Sequence, residues 1–198
     1  MKKSVFLQLF IAMLLISGSS RAQSLKDLFS KDNVENIVST ITGKNTASMV
    51  GTWTFSGSAI EFESDNLLQA AGGKVAASAA ESKLNEQLSK FGITEGKLAF
   101  TFNADSTFNA KLGTRNMGGT YSYNQETGKV NLKFAKLVGI NAKLNCTSTN
   151  MDLLFNSDKL LDLITFLSSK SNNTTLQAIS SLADSYDGMM LGFALKKE

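Results

Sequence analysis

Two carboxylates one residue apart, Glu61 and Glu63, are the closest this chain comes to an acid–base pair. The chain contains no histidine. Imidazole bases, His-ligated zinc and every Ser-His or Cys-His dyad are therefore excluded, and proton transfer would fall to Asp, Glu, Tyr or Lys. Glu61 and Glu63 alternate with Ile60 and Phe62. Strand alternation gives the apolar pair the inner face and turns the glutamates to solvent. Cys146 is in phase with Ile140, Ala142 and Leu144, while Lys143 falls on the opposite face. It is expected to be a buried, inert thiol. Asp184-Ser185-Tyr186-Asp187-Gly188 lacks the alternating oxygen ligands and closing Glu of a calcium loop and reads as a helix-to-strand turn. Gly72-Gly73 and Gly118-Gly119 lack the spacing of a phosphate loop. Asn172-Asn173-Thr174-Thr175 and Asn145-Cys146-Thr147 contain N-x-[ST] and read as a polar loop and a strand end. No catalytic residue, metal or cofactor is expected.

The other chemistry open to this chain is recognition. Trp53, Phe100, Phe102, Tyr121, Tyr123, Phe134 and Phe155 fall at inward positions of predicted strands. They could line a cavity for a small apolar or amphipathic ligand, with Tyr121 and Tyr123 as its polar handles. They could equally fill the space as a solid core, and strand phase leaves both readings open.

The elements that must place these residues follow from composition and pattern. The chain has 198 residues, 42% hydrophobic and 19% charged, enough for one domain with a real core. Its formal charge of +3 is carried by Lys2, Lys3 and Arg21; without residues 1–22, 17 basic residues face 17 acidic ones. That balance argues against a nucleic-acid or polybasic membrane binder. Residues 1–22 read as a secretory signal. Lys2 and Lys3 form the charged region, Val5 to Ile16 the apolar one, and Ser20-Arg21-Ala22 a cleavage site before Gln23. The apolar run is too short for a membrane span, which needs about 20 residues. The expected product is an exported protein with no transmembrane segment, periplasmic or on the outer surface; one cysteine rules out an internal disulfide.

Residues 23–48 hold a helix, Ser24 to Ile41, and a linker. From residue 49 the period changes from 3.6 to 2. Trp53 and Phe55 mark one strand; Ile60 and Phe62 mark another, beyond Ser56-Gly57-Ser58. Residues 65–91 are a helical insertion, with Leu67, Leu68, Ala71, Val75, Ala79, Leu84, Leu88 and Phe91 toward one side, weakened at Gly72-Gly73 and ended by Gly92. Strands then follow around Phe100, Phe108, Tyr121, Leu132, Leu144 and Leu153, with turns at Asn103–Ser106 and Asn124–Gly128. Two helices, one with Leu160, Leu163, Ile164 and Leu167 and one with Leu176, Ile179 and Leu182, precede a last strand, Met189–Leu195. The fold class is α+β: an antiparallel barrel of eight to nine strands, closed to remove its edges.

Gly51-Thr52-Trp53 at the start of the first strand resembles the G-x-W motif of lipocalins. The layout of residues 49–198 is also similar to secreted, uncharacterised lipocalin-like families of Bacteroidetes-type bacteria. The resemblance implies that Trp53 packs across the closed end of the barrel under a basic residue from near the last strand. Lys196 is the matching candidate and Arg115 the only arginine outside the signal. Asp105-Ser106-Thr107 resembles the D-[ST]-x sites of O-glycosylation in such exported proteins, although a hairpin turn accounts for it. The resemblance implies a non-enzymatic barrel that binds a small apolar or amphipathic molecule. The alternative is a filled barrel acting as a structural or protein-interaction module of the envelope, presenting its helical insertion or the helix at 24–41.

Overall fold

The computed structural model describes residues 47–198, apart from Ala71, residues 136–138 and Asp187. The signal at 1–22 and the helix at 24–41 lie outside the described residues.

Eight strands form one closed antiparallel barrel in chain order: β1 (Gly51–Phe62), β2 (Leu98–Phe102), β3 (Thr107–Leu112), β4 (Arg115–Asn124), β5 (Lys129–Phe134), β6 (Ile140–Cys146), β7 (Asn150–Phe155) and β8 (Met189–Lys197). Alternating burial gives β2, β3, β5 and β6 the expected inner rows, including Leu98, Phe100 and Phe102 on β2 and Ile140, Ala142, Leu144 and Cys146 on β6. The turns match as well. Gly128 adopts φ 66° and the amide of Thr127 donates to Asn124 Oδ1.

Two strands are longer than their sequences suggest. The two runs read at 51–55 and 60–62 are one strand, because Ser56-Gly57-Ser58 forms no turn; the β1–β8 register slips between Phe55 and Gly57, and pairing continues to Phe62↔Met189. Such a slip inserts a residue and bends the strand without ending it. β4 starts at Arg115 and takes Gly118 and Gly119 into its ladder, where they pair with Asn109 and Phe108.

The insertion at 65–91 is two helices, α1 (Asp65–Ala70) and α2 (Gly73–Lys90), parted at Gly72 and Gly73, whose φ values are 103° and 72°. α2 ends in a Schellman arrangement: the amide of Ile93 reaches Leu88 O at 3.1 Å and Gly92 has φ 83°. Its buried residues are Ala80, Leu84 and Leu88, whereas Val75 is 82% exposed and Ala79 is exposed, so the apolar side read at 65–91 is only partly the packed one. α2 solves an edge problem. β1 pairs with β2 only as far as Thr54↔Ala99, which leaves its second half without a strand on that side. Asn85 Oδ1 accepts from the amide of Ser58 at 2.7 Å, the Glu81 carboxylate from the amide of Ile60, and the amide of Gly96 donates to Phe55 O. Helix side chains thus occupy the open edge of β1.

α3 (Ser157–Ser168) and α4 (Asn173–Asp184) precede β8. Asn172, read as part of a polar loop, is the N-cap of α4 and accepts from the amide of Thr175 at 3.2 Å. α3 buries Leu160, Leu163, Ile164 and Leu167. It covers the barrel end where β3 finishes and β4 begins: the Phe166 and Phe134 rings lie 4.9 Å apart, and the Arg115 guanidinium donates to Phe166 O at 3.3 Å. None of the described helices is long and apolar enough to cross a membrane.

Candidate functional site

At the opposite end, where β1 begins, Trp53 is fully buried and its Nε1–H donates to Met49 O at 2.7 Å. The Lys197 ammonium lies 5.2 Å from the centre of the indole ring. This corrects the candidates Lys196 and Arg115. The β1–β8 register sets Lys197 opposite Trp53 and Lys196 opposite Thr54, so Lys196 faces the other way. Arg115 serves α3. Gly51 is also constrained: its φ is 134°, and a Cβ there would meet Lys197 Cε at 3.1 Å.

The seven aromatic residues singled out above share one interior, but they fill it to different degrees. Trp53, Phe100, Phe102 and Phe155 are fully buried and Phe134 is 2% exposed; Tyr121 and Tyr123 are half-buried and pack against the same core. Phe193 contacts the rings of Phe55, Phe100 and Phe155 at 5.9–6.2 Å. Phe100 stacks on Phe102, which meets Phe108 and Tyr121; Phe108 then meets Phe134 at 4.8 Å. Aromatic contact therefore runs from Phe55 to Phe166 under α3. The Tyr121 hydroxyl is occupied, donating to Asn103 O at 2.7 Å, and burial with the nearby Asp105 charge raises its pKa. Cys146 is buried as its strand phase implied.

A polar group lies on the opposite face of the sheet, the face to which alternation assigned Glu61 and Lys143. Register aligns Lys143, Leu154, Gly192 and Ala59 in one row and Asn145, Asp152, Ala194 and Gly57 in the next. Glu61 shares that face. Its carboxylate pairs with Lys143 and accepts from Asn145 Nδ2 at 2.6 Å, spanning β7 and β8. Glu61 is thus held by partners, not simply turned to water. Beneath this bridge Leu154 is buried. Burial pushes the Asp152 carboxyl up to about 6, with Glu61 and Glu81 adding like-charge repulsion. The alternation of Lys143 and Asn145 with apolar residues is visible in sequence, but their partner on β1 becomes a neighbour only through barrel closure.

Beside this group is a cleft of about 760 Å³ lined by β4, β5 and β6, the ends of β1 and β8, and the first turn of α3. Lys129, Asn131, Asn141, Lys143 and Lys159 line it, with Glu63 as its one carboxylate. Of the seven aromatics only Tyr123 borders it. Among the described residues no group of His, Cys, Asp and Glu could hold a metal ion.

Residues 25–197 match the family model described as a lipocalin-like domain (DUF4923). A crystal structure of a DUF4847 family protein from Bacteroides vulgatus is similar over 79% of this chain and 96% of that one, at 14% identity and a TM-score of 0.34. No curated protein matches the chain.

Proposed function

The chain belongs to the lipocalin-like DUF4923 family, and we propose that it is an exported, non-enzymatic protein whose barrel is a filled scaffold carrying recognition on its surface. The observation behind this reading is the interior packing. Phe100, Phe102, Phe108, Phe134, Phe155 and Phe193 are at most 2% exposed and form one continuous chain of ring contacts, Phe134 joining it through Phe108. A ligand would have to displace these rings, each contributing about 3–5 kcal/mol as core. The helical insertion supplies a surface for a partner, with Val75 turned to solvent. The test is truncation. In a filled barrel Phe100→Ala and Phe134→Ala each destabilise by several kcal/mol and neither unmasks a lost ligand affinity. A variant that folds with near wild-type stability contradicts the reading.

The family description favours a second reading, a small apolar or amphipathic ligand held inside the barrel. Tyr121 and Tyr123 are half-buried and lie among the places where the interior approaches solvent. A thermal-shift screen of fatty acids, sterol acids and tetrapyrroles separates the readings, since a ligand of the folded state raises the transition temperature. Export rests on the layout of residues 1–22, and N-terminal sequencing of the exported protein should begin at or near Gln23. An exported form that retains Met1 would contradict it.

A further inference from the structure

We propose that the cleft on the outer face of β4–β6 binds a small acidic sugar. Its volume, about 760 Å³, falls within the range of small-molecule sites. Its lining separates into two chemistries. Lys129, Lys143 and Lys159 supply cations against the single carboxylate of Glu63. Lys143 is neutralised by Glu61, and Lys159 shares its charge with Asp162 at 3.4 Å, on the exposed face of α3. Lys129 makes no ion pair among the described residues. Lys129 is therefore the one lysine of the lining without an ion pair among the described residues, and an anionic group is what its ammonium attracts.

The second chemistry is amide. Asn124, Asn131, Asn141 and Asn156 all line the cleft. Asn131 Nδ2 donates to Asn141 Oδ1 at 2.7 Å, which fixes both planes and leaves Asn131 Oδ1 to accept and Asn141 Nδ2 to donate. Asn124 spends its oxygen on the amide of Thr127, leaving its NH2. Asn156 is the N-cap of α3, yet its side chain makes no capping bond. Paired donors and acceptors suit the adjacent hydroxyls of a sugar ring, and Lys129 beside them suits its carboxylate. Gly139 sets the arrangement: a Cβ there would come within 2.9 Å of Asn131 Oδ1 and push the amide away.

The test is titration of the full chain with glucuronate, read by calorimetry and by the side-chain amide resonances of Asn131 and Asn141. Glucose and acetate are the control probes. The expected result is saturable binding of glucuronate, with glucose and acetate each at least about tenfold weaker. Lys129→Gln should weaken binding by about tenfold, the loss of one charge-assisted contact. Gly139→Ala should also weaken it while leaving the melting temperature unchanged, which separates recognition from folding. Glucose binding as well as glucuronate would overturn the anionic part, and acetate binding as well would overturn the sugar part. No saturable binding up to about 10 mM glucuronate, the weak end of specific recognition, would overturn the site.

Discussion

The Lys197 ammonium sits 5.2 Å from the centre of the Trp53 ring, directly across the β1–β8 ladder. The contact joins the first strand of the barrel to the last, at the seam where the sheet closes. A cation over an aromatic face at an exposed site contributes about 0.5–1 kcal/mol. Lys197→Met is therefore expected to lower stability by about that amount in chemical denaturation. Lys196→Met should change stability little. Equal effects from the two substitutions would contradict the register.

A second expectation concerns pH. The Asp152 carboxyl is raised from 3.8 to about 6 by burial, then by Glu61 and Glu81. The folded state therefore holds this proton more tightly than the unfolded chain. This group's contribution to stability is complete below about pH 4, declines as pH rises toward about 6, and stays lost above that. Asp152→Asn removes the ionisation and should raise stability at pH 8 by about 2 kcal/mol. It should also flatten the stability profile between about pH 4 and 6. An unchanged profile would show that Asp152 titrates as an ordinary surface carboxylate.

Gly192 lies against the backbone of β7 with no room for a side chain. A Cβ at this position would lie 1.9 Å from Leu153 O and 2.8 Å from Leu153 C, both backbone atoms that cannot turn aside. Gly192→Ala should cost about 3 kcal/mol or more, at the upper end of overpacking effects. The control is Gly118→Ala, where the nearest atom is 3.8 Å away; its effect should be far smaller. Comparable melting temperatures for the two variants would contradict the close approach.

The strands that carry strict alternation were legible in sequence. Leu98-Phe100-Phe102 and Ile140-Ala142-Leu144-Cys146 point inward as their phase requires. Features that depend on a distant strand were not. Ser56-Gly57-Ser58 has the composition of a turn, yet β8 pairs with it and makes it a bulge within β1. Without that slip the register of Gly57↔Ala194 would set Glu198, not Lys197, opposite Trp53. Arg115 to Gly119 offers little apolar alternation, so the sequence marks only the part of β4 around Tyr121. Val75 fits the helical period of the insertion but meets no partner, because α2 packs through Ala80, Leu84 and Leu88. The cleft drew no sequence signal either. Its amides and lysines come from separate strands and a helix, and each resembles an ordinary solvated residue until closure assembles them.

The filled interior is tested most directly by placing an amphipathic molecule against it. The aromatic resonances of Phe100, Phe102, Phe134 and Phe155 can be followed by NMR while laurate is added to the full chain. The expected result is that none of the four moves in a saturable way, and that Trp53 fluorescence stays blue-shifted and unquenched throughout. Saturable shifts confined to these four rings, together with a rise in melting temperature, would show a ligand inside the barrel and contradict a solid core.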